Sequence, residues 1–135
     1  MLLEEDEKGF IFERRSRDDP TLKQFAVAMI LFVVVDAVWL LTVGQLALSM
    51  TEAIQGSPVT FRWGAGFVVY VALGYLIYQT DTVLEAGLMG TAVYAVYDFT
   101  NYMILKKYDG RLAVADSLWG GVLFAIVKGI LSLLK

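Results

Sequence analysis

The sequence predicts an all-α fold: an integral membrane bundle of four transmembrane helices in up-down topology with short connections. Three observations predict it. The 135 residues are 58% hydrophobic, more than the roughly half expected of a water-soluble domain. Four apolar stretches each approach the ~20 residues that cross a bilayer core of roughly 30 Å. The first of them, FAVAMILFVVVDAVWLLTVGQLALSM, carries only Asp36 and Gln45 as strongly polar residues, whereas a helix on a soluble core shows a polar stripe every three or four residues.

In chain order, residues 1–24 form a charged tail, expected to be disordered or to lie at the membrane interface through Gly9, Phe10, Ile11 and Phe12. It holds half of the acidic residues and five of the eleven basic ones. Residues 25–135 form the four-helix transmembrane domain, with spans at Phe25–Leu48, Trp63–Gln79, Leu84–Leu105 and Leu112–Leu134. Three breaks separate them: SMTEAIQGSPVTFR with Gly56 and Pro58, then TDTV, then KKYDGR with Asp109-Gly110. Gly and Pro stand there where a helix must stop, and helices joined so closely run as antiparallel neighbours. A cleaved signal peptide is not expected, because the first apolar stretch follows an acidic tail and has Asp36 in its middle. Arg14, Arg15, Arg17 and Lys23 before the first span favour a cytoplasmic N-terminus, and an even span count returns the C-terminus to the same side. Lys106, Lys107 and Arg111 in the third connection oppose that orientation.

Composition excludes several kinds of chemistry. With no His and no Cys, there is no imidazole base, no thiolate nucleophile, no usual zinc site and no disulfide. A net charge of −3 gives no basic footprint for nucleic acid.

Four ionisable residues fall inside the apolar stretches: Asp36, Asp98, Asp116 and Lys128. Such groups cost ~2.5–3.5 kcal/mol on insertion scales, so they face a bundle interior with a partner. Asp98 lies about 10 Å from the end of its span and Asp116 about 7 Å from the start of the next, which places them at similar depth. Lys128, near the far end of its span, is expected to reach the interface or close a helix end. Asp36-Ala-Val-Trp39 and Asp116-Ser-Leu-Trp119 share the pattern D-x-x-W, and the third span carries Tyr97-Asp98-Phe99-Thr100-Asn101. An indole N–H can donate to a carboxylate on a neighbouring helix, and Asn101 can donate to Asp98. The candidate polar cluster is therefore Asp36, Trp39, Tyr94, Tyr97, Asp98, Asn101, Asp116 and Trp119. In the fourth span Ala113, Ser117, Gly121, Ala125 and Gly129 recur every four residues, a ridge for close helix packing in lipid.

The segments VVVDAVWLLTVG, AVYAVYDFTNYMILKKY and LAVADSLWGGVLFAIV, in this order, resemble a family of small four-span membrane proteins known only as domain of unknown function 2177. The motifs D-x-x-W, Y-D-x-T-N and D-x-x-W-G carry the resemblance, which covers roughly Phe25 to Leu134 but not the tail. It implies a bundle with an inward polar site, and brings no reaction or substrate with it.

Three functions are compatible with such a cluster. The favoured expectation is a small transporter or channel-like protein for protons, cations or a small solute, with Tyr70, Thr100 and Ser117 as further polar partners. A pore built from so few helices would call for a homo-oligomer. The second is a structural or assembly role, in which the acids fix helix register. The third and least favoured is an intramembrane enzyme acting on a lipid or isoprenoid, with Asp98, Asn101 and Asp116 holding Mg²⁺. No phosphate loop or metal motif backs it, so no cofactor is expected, and catalytic residues are not assigned. The expected partner is the lipid bilayer.

Overall fold

A computed structural model describes residues 18–135. Most of the charged tail, up to residue 17, lies outside the described residues, and with it the anchor read at residues 9–12. Among the described residues there are five helices and no strand: α1 (Leu22–Leu41), α2 (Gly44–Gln55), α3 (Trp63–Ile77), α4 (Val83–Ile104) and α5 (Gly110–Leu133).

Each start has a local cause. Thr21 and Gln24 form a reciprocal capping box at α1, the Thr21 hydroxyl accepting from the Gln24 N–H and the Gln24 amide oxygen from the Thr21 N–H. Thr82 caps α4 by accepting from the Glu85 N–H at 3.1 Å, and Asp109 caps α5 by accepting from the Arg111 N–H at 2.8 Å. At the C-terminus of α2, Gly56 adopts a left-handed φ of 73°, a conformation open to glycine at little cost.

The first apolar stretch does not run as one helix to Leu48. It breaks after Leu41, where the Thr42 hydroxyl donates back to the Val38 carbonyl at 2.7 Å and the backbone tightens onto Trp39. Gly44 then restarts the chain as α2, so the first connection is not short but carries a helix of its own. That change reflects local hydrogen bonding, to which hydropathy is blind.

α4 and α5 form the closest pair, and α1 packs against both α3 and α5. Gly87, Gly90, Gly120 and Gly121 permit the α4–α5 approach. A Cβ on Gly90 would run into the Gly120 carbonyl and the Phe124 ring, and one on Gly120 into Tyr94 and the Gly90 carbonyl. Of the small-residue ridge, Ala113, Ser117 and Gly121 are buried and Ala125 half-buried. Gly87 faces Gly121 and Ala125, whereas a Cβ on Gly129 would meet open space. Contact in the middle of the pair also runs through Gly120, one position off the ridge.

The core lies towards the end of the bundle that carries the termini. Ala28 and Phe32 of α1, Leu73 and Ile77 of α3, Ala86 of α4 and Leu123, Phe124 and Val127 of α5 are buried together. Phe32 and Phe124 meet edge to face with centroids 4.9 Å apart. Outside, the bundle is apolar: Ile30, Val34 and Val38 on α1, Phe67 and Val68 on α3, Leu88 and Val96 on α4, and Leu118 and Val122 on α5 are exposed, while Asp36, Asp98, Ser117 and Lys128 are buried. A soluble bundle distributes these residues the other way round. α1 and α5 are long and apolar enough to cross a membrane. α3 is equally apolar but has 15 residues, and the 22 residues of α4 include Glu85, Asp98 and Asn101.

Candidate functional site

Four helices bring their acids and aromatics to one level. Asp36 lies five residues before the end of α1, Asp98 six before the end of α4, Asp116 six after the start of α5 and Tyr70 seven after the start of α3. All stand ~7–11 Å from the end of the bundle opposite the termini. There the three aspartates line a cavity of about 880 Å³.

Asp36 is 7% exposed, and both its oxygens have donors. The Tyr70 hydroxyl donates to Oδ2 at 2.9 Å and the Trp119 indole N–H to Oδ1 at 2.9 Å. Trp119 stacks on Trp39 at 5.1 Å with the rings 5° from parallel, and the Trp39 indole in turn faces Asp116. The two D-x-x-W motifs therefore cross: the indole of each turns to the carboxyl of the other. The twofold character comes from two antiparallel helices presenting Asp and Trp one turn apart on facing sides.

Asp98 is 1% exposed. Its Oδ1 accepts from the Tyr108 hydroxyl at 2.5 Å, while its Oδ2 is buried without a hydrogen-bond partner. Asp116 faces the Asp98 carboxyl directly. Carboxylates have no donor to offer each other, so the pair is one proton or one cation short of satisfaction. Tyr94 sits among Asp36, Asp98, Asp116 and Tyr70. Tyr97 lines the cavity although it is 66% exposed.

Two expectations need correction. Asn101 does not supply the donor to Asp98 and does not line the cavity; Tyr108 takes the place. Tyr108 lies in KKYDGR, which reads only as a turn. The turn folds the tyrosine back under α4, and burial followed by its bond to Asp98 raises its pKa above the ordinary value, keeping the hydroxyl a donor. The second concerns α2, whose Gly44, Ala47, Leu48 and Thr51 form a wall of the cavity. Its far end meets the α4–α5 turn, where the Lys107 ammonium donates to the Ala53 carbonyl at 3.5 Å and the Asp109 N–H to Met50 Sδ at 3.1 Å. Lys128 lies away from the acids, with its ammonium donating to the Thr80 carbonyl beyond the end of α3.

Among the described residues no group of three or more acidic side chains is placed to hold a metal ion. A helical protein with an apolar exterior and carboxyl groups buried inside belongs to the membrane proteins as a class. The model of a family described as a predicted membrane protein, domain of unknown function 2177, matches residues 21–133, and the chain belongs to that family. No curated protein and no solved structure matches it.

Proposed function

We propose that the protein crosses the membrane four times, with both termini on the cytoplasmic side, and moves protons or a small cationic solute through its acid-floored cavity. α3 packs on α1 and α4 lies along α5, so the shorter α3 and the more polar α4 share the depth of the two helices that are long and apolar enough to span. The cavity carries the functional reading. It is lined by three carboxyl groups and only partly enclosed, while Phe32, Ile77, Leu123, Phe124 and Val127 fill the bundle beyond it. A single-ended site suits a carrier that opens to each side in turn; a continuous pore would need a second copy of the chain.

In proteoliposomes the wild type is expected to show proton- or cation-dependent flux that Asp98→Asn and Asp116→Asn abolish. Equal flux in the variants, or none in the wild type, overturns the transport reading. Asp36 supports a structural reading of its own position: with both oxygens satisfied by α3 and α5, it ties three helices together. Asp36→Asn is expected to lower stability before it alters flux.

A further inference from the structure

We infer, building on the transport reading above, that the cavity binds an organic ammonium ion with a hydrocarbon body, its N–H groups donating to Asp98 and Asp116. The unpartnered Asp98 Oδ2 is the first observation. It belongs to a side chain buried to 99% that lines the cavity, and a buried acceptor left without a donor is rare and costly. Tyr108 is already engaged with Oδ1, and Asp116, which faces Asp98, can donate only while it carries a proton, so the ionised pair takes its donor from outside the fold.

The rest of the cavity selects among donors. A divalent ion needs about six oxygen ligands, and no group of three acidic side chains is placed to hold one among the described residues. A bare proton would satisfy Oδ2 but would leave a cavity of about 880 Å³ without purpose. Its walls are Leu40, Leu41, Val59, Phe61, Val69 and Leu112, surfaces that attract hydrocarbon and not a hydrated ion. Between wall and floor stand Trp39, Tyr94 and Tyr97, whose ring faces attract a cation bearing alkyl groups. The polar head and the apolar body of an alkylammonium thus each meet their own kind of surface. α2 closes one side, and its contact with the α4–α5 turn leaves it positioned beside an occupant.

Trp39 and Trp63 line the cavity and Trp119 stacks on Trp39, so all three tryptophans of the chain report on it. The full chain in phosphatidylcholine nanodiscs is titrated with n-octylammonium chloride, 1-octanol and magnesium chloride while tryptophan fluorescence is followed. A saturable change is expected with octylammonium alone. Asp116→Asn should weaken it by about tenfold or more, as when one member of a buried charge pair is removed, and Asp98→Asn should do the same. Asp116, the less buried of the two, keeps the test decisive if Asp98→Asn does not fold. An equal response to octanol overturns the inference, since charge would then play no part. So does saturable binding of magnesium in place of octylammonium, or unchanged affinity in Asp116→Asn. Proton flux without octylammonium binding removes the ligand class and leaves the transport reading standing. Octylammonium binding without any flux does the reverse.

Discussion

The two ends of the bundle are built from the same helices and solve opposite problems. At the end carrying the termini, Phe32, Ile77, Leu123, Phe124 and Val127 fill the interior, and the polar groups nearby are tied up. Lys128 donates to the Thr80 carbonyl, Thr80 to the Ile77 carbonyl and Tyr78 to the Gln24 carbonyl. At the other end the interior holds Asp, Tyr and Trp around open space, and one buried oxygen is left unsatisfied. In lipid, helices gain nothing from hydrophobic burial against one another, so close packing is the work of shape. The sealed end is a packing device and the open end keeps an unmet demand for a donor, which is the difference between scaffold and site.

The sharpest way to break the scaffold between the two ends is to separate α4 from α5. Gly120→Val places methyl groups where Tyr94 and the Gly90 carbonyl already stand, so a loss of about 3 kcal/mol or more is expected in detergent unfolding. Phe124→Ala should cost about 3 kcal/mol, in proportion to the van der Waals contacts removed from Phe32 and its neighbours. It should also raise background leak in proteoliposomes, because the void it leaves continues the cavity towards the closed side. A Phe124→Ala protein as tight as the wild type would show that the seal lies elsewhere.

The open end is sharpened by two single hydroxyl deletions. Tyr70→Phe and Tyr108→Phe each remove one hydrogen bond to an aspartate, and interhelical polar contacts in membranes average about 0.6 kcal/mol. Stability should fall by a similar small amount in both. Flux should separate them: Asp36 keeps Trp119 in the Tyr70 variant, whereas Asp98 is left with the Asp116 carboxyl alone in the Tyr108 variant. A shifted pH profile of flux is expected for Tyr108→Phe alone.

How much of this was legible in sequence follows from what each feature depends on. The starts at Trp63, Val83 and Gly110 lie within two residues of the expected spans, because apolar length and Gly or Pro punctuation are local signals. The break at Thr42 was not legible, since it turns on one hydroxyl bonding back to the Val38 carbonyl inside an unbroken apolar run. The D-x-x-W repeat pointed to indole–carboxyl contacts between helices, but not to the crossing of the two motifs, which requires α1 and α5 to be neighbours. Tyr108 was hidden by its turn context. A tyrosine in a charged loop ten residues after an acid is read as solvent-facing until the backbone folds it inward.

The smallest expected effect lies at the mouth of the open end, at the cap of α5. The Asp109 carboxylate is exposed and accepts from the Arg111 N–H. That backbone bond, ahead of the nearby Arg111 charge, lowers its pKa from the ordinary value of 3.8. A carboxyl whose folded pKa is depressed contributes stability that is fully present above its unfolded value and lost as pH falls through the folded one. Protonation therefore favours unfolding of the cap only in the acid range, and neutral pH leaves it intact. Asp109→Asn retains a capping oxygen without the titration, so the difference in stability between wild type and variant should be constant from pH 8 down to about pH 5. Below that it should narrow as the wild type loses its advantage. A difference that stays flat to about pH 2 would mean that the Asp109 charge contributes nothing to holding the start of α5, leaving the α2–turn contacts through Met50 and Lys107 to position it.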